Sequence, residues 1–325
     1  MIDHLSASAR RGRPYDLLAV GELLIDMIST DFAESLDEVH HFKRLQGGSP
    51  ANLCLNMARL GNRTALVATI GQDNMGDLLW RQVQQLGVDC SYLRRVAEPT
   101  TLILVTRSRQ VSNFEAYRMA DPLITSEQFP ESLLANATIF HTTCFGLSRD
   151  PAQTAIMKAA AQAHQQGCQL SIDINYASKI WPDRTQAQAL VAQYCTWGTL
   201  VKISEVDWER LYDIPLDEPQ QATAHFLNLG AKQVCVTLGD QGCVVDDGSG
   251  AQFLPARPIS VKDTTGAGDA FWSGYLTAWL DGHTPLDCAK AGRRMAEEKL
   301  QHFGPLSGSF SVELIYEDLH PSKPD

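Results

Sequence analysis

Apolar, strand-like runs alternate with helix-like segments along most of the 325-residue chain, and this alternation limits the fold more than any other feature. Strands are expected over 15–20, 65–70, 138–141, 170–174, 200–203 and 233–237. Helices are expected over 49–60, 77–86, 152–166 and 185–194. A βαβα order of this kind implies a mostly parallel central sheet flanked by helices on both faces, an α/β class. One stretch departs from it. Between Cys90 and Met119 the runs 91–96, 100–106 and 114–118 follow one another with no helix between them, and Gln110-Val111-Ser112-Asn113 supplies a polar turn. A small β-sheet flap is the expectation there, with edge strands of the main sheet as the alternative. A single domain over 15–310 is expected, its flap strands coming mainly from about 90–119, with frayed tails at 1–14 and 320–325.

Charge and composition exclude several classes. With 27 Lys+Arg against 38 Asp+Glu the net charge is −11, which disfavours a nucleic-acid partner. The only basic cluster, Arg10, Arg11 and Arg13, lies in the amino-terminal tail. The apolar run after it carries Glu22 and Asp26, which an export signal would not tolerate. No uncharged apolar run is long enough to span a membrane. The eight cysteines are scattered without a C-x-x-C pair, and the nine histidines show no H-E-x-x-H spacing. Free, buried cysteines in a reducing cytoplasm are expected, with neither a disulfide scaffold nor a structural metal.

The sharpest chemical feature is Asp263-Thr264-Thr265-Gly266-Ala267-Gly268-Asp269-Ala270-Phe271, directly before an apolar helix. Backbone N–H groups of Gly266, Ala267 and Gly268 at a helix start form an anion site. Asp269 then stands in the first turn beside the anion. A carboxylate there suits proton removal from a hydroxyl that attacks phosphorus; a capped helix start with a Gly-rich turn is the alternative. No Gly-Lys-Ser/Thr follows, so this is not a Walker A loop. A second feature, Gly47-Gly48-Ser49-Pro50-Ala51-Asn52, lets the backbone pass close to a ligand, and Asn52 can both donate to and accept from a sugar hydroxyl; a tight turn with Pro50 in the first helical turn is the alternative. A third, Gly21 to Asp26, follows the first strand, where ligands of open parallel sheets sit. Asp26 there could hold two hydroxyls or be an ordinary loop acid.

Together these residues resemble the PfkB, or ribokinase-like, carbohydrate kinases. The early G-G-x-x-x-N-x-x-x-x-x-A-R-L-G block from Gly47, Ile70-Gly71-Gln72-Asp73 with Gly76, and the late D-T-T-G-A-G-D-A-F block all match in order. The resemblance runs from about Tyr15 to Ser307 and implies a central α/β domain with a β-sheet lid. It implies Asp269 as general base, with the amides of Gly266, Ala267 and Gly268 around the γ-phosphate. Asp26, Gly47, Gly48, Asn52, Arg118 and Asp173 would meet the sugar. Lys202, Ser204, Thr237, Gly239 and Gly242 would meet ATP, and Asp207 or Glu205 would hold Mg²⁺ through water. A monovalent cation such as K⁺ and a homodimer joined through lid residues Leu102, Ile103, Leu104 and Val105 also follow from it.

Three positions depart from the family pattern. The arginine of D-x-N-x-R is Ala177 here, with Lys179 two residues on as a point charge in its stead. The N-x-x-E segment reads Ser204-Glu205-Val206-Asp207, inside the fructokinase-like K-x-S-E-x-x-W of Lys202 to Trp208. The segment from Ala291 to Gly304, small and apolar in relatives and ending near the cation, reads AGRRMAEEKLQHFG, which predicts a solvated, charged helix face. The expected activity is ATP-dependent phosphorylation of a primary hydroxyl on a sugar, fructose first. The rivals are 2-keto-3-deoxygluconate, ribose and nucleosides, or a weakly active sugar- or partner-binding chain of the same fold.

Overall fold

A computed structural model describes residues 12–33, 35–107 and 113–319. Arg10, Arg11, most of the 110–113 turn and the carboxy-terminal tail from 320 lie outside the described residues. The strands are β1 Tyr15–Val20, β2 Leu24–Ser29, β3 Phe42–Gly47, β4 Thr64–Gly71, β5 Leu93–Val96, β6 Leu102–Thr106, β7 Asn113–Tyr117, β8 Ala137–Thr143, β9 Gln169–Ile174, β10 Leu200–Ser204, β11 Gln233–Thr237, β12 Gly242–Asp246 and β13 Gln252–Pro255. The helices are α1 Ser49–Arg59, α2 Asn74–Gln85, α3 Glu131–Ala135, α4 Ala152–Gln165, α5 Arg184–Cys195, α6 Glu205–Tyr212, α7 Pro219–Asn228, α8 Ala267–Leu280, α9 Pro285–Leu300 and α10 Glu313–Tyr316.

Nine strands form the main sheet in the order β13-β12-β11-β10-β9-β8-β1-β4-β5. Pairing is parallel from β5 across to β11, and only β12 runs against the rest, antiparallel to both β11 and β13. Every residue of β4 and β8 is buried, as parallel strands covered on both faces must be. Two apolar clusters fill the two faces. One joins α4, α5 and α7 to the sheet; the other joins α1, α8 and α9. Among the described residues no helix is long and apolar enough to cross a membrane. All eight cysteines are free, and only Cys90 is less than fully buried.

The second sheet has four strands in the order β3-β2-β6-β7. Its composition differs from the expected flap. Residues 102–106 and 113–117 do belong to it, but its other two strands come from 24–29 and 42–47. The run at 93–96 instead pairs parallel with β4 at the edge of the main sheet, Ala68 opposite Leu93. The reason is local. Asp73 caps α2 through Gly76 N–H (2.8 Å) and also accepts from Thr100 N–H (2.7 Å). This ties the chain back to the end of β4 before it leaves for the lid at Leu102.

Arg13, expected in a frayed tail, is held instead. Its guanidinium donates to the Ala137 carbonyl and, at 2.7 Å, to the Gln166 carbonyl. The charged face of α9 is likewise not solvated. Arg257, just after β13, pairs with Glu297, and the chain around α10 folds back over that face to pair Asp318 with Arg293 at 2.8 Å and Glu317 with Arg294 at 3.1 Å. Glu297 and Lys299 are buried.

Candidate active site

Two helix starts face each other where the lid meets the main domain. Helix α8 begins after Gly266, whose φ of 76° is left-handed and suits glycine. Asp269 lies in its first turn. Its carboxylate accepts from Ser49 Oγ at 2.7 Å and Asn52 Nδ2 at 2.8 Å, both in the first turn of α1. Gln46 Nε2 donates to Asn52 Oδ1 at 2.9 Å and so fixes which end of that amide faces Asp269. Behind the loop, buried Glu22 accepts from Ser49 N–H at 3.0 Å and Thr143 Oγ1 at 3.2 Å. Asp26 on β2 lies against Gly47. A Cβ built on Gly47 would sit 2.1 Å from Asp26 Oδ2, so that glycine makes room for the carboxylate. Asp26, Gln46, Asn52, Gly266, Lys299 and Gly304 line one recess beside this contact.

The carboxylates here are costly to ionise. Burial pushes Asp269 up to about 6, with Asp173 adding to the shift and the bonds from Ser49 and Asn52 and the charge of Lys202 opposing it. Burial, then Asp269, pushes Asp26 up to about 7. Burial also lifts Glu22 to about 8. Perturbed carboxylates gathered in a cleft make this the candidate site for chemistry.

A buried ion pair backs this array. Lys202 Nζ lies 2.8 Å and 2.9 Å from the two oxygens of Asp173. Burial opposes the lysine's charge, but Asp173 and Asp207 outweigh it and raise its pKa. A Cβ on Gly268 would lie 3.1 Å from Lys202 Nζ, so the ammonium stands beside the α8 amino terminus. The Ala267 N–H donates to the Thr264 carbonyl at 3.2 Å. Of the three expected anion-binding amides this leaves Gly266 and Gly268 for an incoming oxyanion. Asp207 closes a capping box on Ser204, whose Oγ lies 2.5 Å away. Burial and then Asp173 push Asp207 up to about 7, while Glu205 is raised by burial, Glu209 and Asp240.

Other expected site residues are placed differently. Arg118 is nearly buried. It pairs with Asp121 (Nε to Oδ2 3.0 Å), reaches Ser148 and the Phe145 carbonyl, and lies 4.2 Å from the Phe145 ring centroid. It fastens the end of the lid to the main domain. Lys179 bridges in the same direction, donating to Glu115, Asn113 Oδ1 and the Phe114 carbonyl at 2.7–3.1 Å. Thr237 ends β11, and Gly239 and Gly242 bound the short turn into β12. A Cβ on Gly242 would meet the Leu254 carbonyl at 2.1 Å, so the hairpin itself requires that glycine. Ser49, Gln46, Glu22 and Lys299 had no role in the sequence reading. Ser49 and Glu22 lie inside motifs that the sequence shows, without their own part being evident; Gln46 acts through Asn52, six residues on, and Lys299 through Asp263, far earlier in the chain.

Residues 15–310 match the description "pfkB family carbohydrate kinase". The chain belongs to this family. As a PfkB carbohydrate kinase it is a sugar phosphotransferase, and its two-sheet architecture is the ribokinase-like one. An ATP-dependent 6-phosphofructokinase of Thermoanaerobacterium thermosaccharolyticum is 33% identical over 303 residues, 93% of each chain. Fructokinase-1 of Oryza sativa subsp. japonica is 34% identical over 271 residues, covering 82% of this chain and 83% of that one. Among solved structures, the fructokinase of Halothermothrix orenii superposes with a TM-score of 0.75 at 29% identity, over 90% of this chain and 100% of that one.

Proposed function

We propose that this PfkB kinase transfers the γ-phosphate of ATP to a primary hydroxyl of fructose, with Asp269 as general base. The observation that carries this reading is the contact of Asp269 with Ser49 and Asn52. It aims one carboxylate from an anion-binding helix start straight at the loop that would hold the sugar. A sugar hydroxyl replacing one of those donors would give its proton to Asp269 as it attacks phosphorus. Gly266 and Gly268 N–H, with Lys202 beyond them, would receive the charge on the transferring group. Asp26, Gly48 and Asn52 would hold the remaining hydroxyls, and a lid over the site would exclude water.

Mg²⁺ fits the nucleotide side. Asp207 and Glu205 offer hard oxygen donors, and the raised pKa of Asp207 reflects a buried carboxylate that a cation would relieve. Among the described residues no three His, Cys, Asp or Glu side chains form a metal cage, which suits an ion that keeps its waters and binds largely through phosphates. Bound with ATP, Mg²⁺ would offset the developing phosphate charge.

A second reading is favoured by the phosphofructokinase relative and by a further recess lined by Arg118, Arg149 and Lys179. A sugar already carrying a phosphate would meet cationic side chains there, of which Arg118 and Lys179 are shared with Asp121 and Glu115. Release of ADP, followed with fructose and with fructose 6-phosphate in parallel, tests both. The fructose reading requires the higher kcat/KM for fructose; a higher value for the phosphorylated sugar transfers the assignment to the second reading. Turnover with neither removes both.

The raised carboxylates set the pH dependence. Asp269 at about 6 and Asp26 at about 7 are protonated below these values, and a base must be ionised. kcat/KM for the sugar should therefore fall as pH drops through about 7 to 6 and level off above. Because the groups interact, the limb belongs to the pair. A limb near pH 4, where an unperturbed carboxylate titrates, would contradict the assignment. Gly47→Ala tests the sugar end. Its methyl displaces the Asp26 carboxylate, and KM for the sugar should rise about tenfold, a loss of roughly 1.4 kcal/mol, with KM for ATP unchanged. An equal rise in both would place Gly47 outside the sugar contact.

A further inference from the structure

Lys299 presents an unusual environment for an ammonium. It lies near the end of α9 and is 3% exposed. Its Nζ faces three oxygens: the His302 carbonyl at 3.3 Å, Asp263 Oδ2 at 3.4 Å and the Asp263 carbonyl at 3.5 Å. The Asp263 carboxylate is itself clamped, accepting from Gly304 N–H at 2.9 Å and Thr265 N–H at 3.0 Å. Burial pushes Asp263 up, but those amides and the lysine outweigh it and hold the carboxyl below its usual range. The backbone of Asp263 leads directly into Gly266, Gly268 and Asp269, and a Cβ on Gly266 would lie 3.8 Å from Lys299 Cε. The lysine thus sits directly behind the anion-binding turn. Two close helix contacts set its depth. A Cβ on Gly274 would meet the Ala291 carbonyl at 2.5 Å, and one on Gly292 would meet the Phe271 carbonyl at 2.8 Å.

Two carbonyls and one carboxylate form a hard, oxygen-only donor set with a single negative charge. Such a set suits a monovalent cation, and the family resemblance implies one at this loop. The residues do not fit a free ion, because the Lys299 ammonium already takes those oxygens and a second cation would be repelled by it. We propose that Lys299 is a tethered replacement for a bound monovalent cation, a positioning residue that keeps the 263–268 turn ready for the oxyanion. Resting on the phosphotransferase reading, this predicts turnover that needs no K⁺ or NH₄⁺.

The test begins with the unaltered enzyme. With tetramethylammonium as the background cation, adding 0.1 M K⁺ or NH₄⁺, roughly physiological ionic strength, should change kcat less than twofold. Lys299→Ala, which opens room for an ion, should lower kcat by about 10²-fold with little change in sugar KM, as a misplaced catalytic turn does. K⁺ or NH₄⁺ should restore most of that loss and raise the Tm of this variant alone, since an ion that binds only the folded state stabilises it. Lys299→Met, with its space filled, should stay low and insensitive. Several-fold activation of the unaltered enzyme by K⁺ overturns the proposal. So does a folded Lys299→Ala protein whose kcat and Tm ignore both cations. If no sugar turns over, the function reading fails, while the cation dependence of Tm still decides for or against Lys299. If Lys299→Ala does not fold even with K⁺ present, the lysine acts as a core strut and the proposal falls.

Discussion

Asp269→Asn is expected to lower kcat by about 10³-fold, in the range that general-base removal costs, while KM for ATP and for the sugar stays within about threefold. The substitution keeps shape and leaves an oxygen able to accept from Ser49 Oγ or Asn52 Nδ2. It removes the group that takes the proton. Because Asp269 is pushed up to about 6 by burial, the neutral side chain should not unsettle the fold at neutral pH. Steady-state rates beside calorimetric ATP binding check the split. Turnover above a tenth of the unaltered rate would remove the carboxylate from the role of base.

Lys202→Met should be the most destabilising single change in the site. It leaves Asp173, 3% exposed, as a buried carboxylate without its partner. Losing one member of a buried pair costs about 3–5 kcal/mol, a fall of roughly 4–7 °C in Tm for a domain of this size. The double variant Asp173→Asn with Lys202→Met should recover much of that stability, since the stranded charge is gone, and should recover none of the activity, because the ammonium beside Gly268 is still missing. Thermal denaturation and initial rates on the four proteins complete the cycle. A double variant no more stable than Lys202→Met would mean that packing of the lysine stem, and not its charge, holds this region.

The centre of the main sheet was legible because strands such as β1, β10 and β11 are largely apolar runs between helical patterns. Val201 and Ile203 in β10 and Val234 and Val236 in β11 are fully buried. The lid was only half legible. Residues 102–106 and 113–117 stand apart from any helix and suggested a second sheet. β2 was hidden because Leu24–Ser29 follows β1 with only a short break and reads as its continuation. β3 was hidden because Phe42–Gly47 carries Lys43, Arg44 and Gln46 and buries little. The strand at 93–96 had lid-like composition but pairs with β4, and pairing partners are not written in a run's composition.

At the site, Asp269, Gly266, Gly268, Asn52 and Asp26 were singled out from motif and position, and the structure brings Asp269 into contact with Asn52. Lys299 was read as part of an exposed, charged face. It meets instead Asp263, far earlier in sequence, which turns its oxygens toward the end of α9. Glu22, inside the Gly21–Asp26 segment, carried no role of its own in the sequence; its contacts with Ser49 and Thr143 show that it braces the loop. Such long-range contacts carry no periodicity, so sequence reasoning has no handle on them.

The most direct test of the central claim is ³¹P NMR of the unaltered enzyme with ATP, Mg²⁺ and fructose. The account predicts one new phosphomonoester signal, on a primary hydroxyl of the sugar, growing in step with ADP and about 10³-fold more slowly with Asp269→Asn. ADP and free inorganic phosphate without a phosphorylated sugar, or an unchanged product signal from Asp269→Asn, would contradict it.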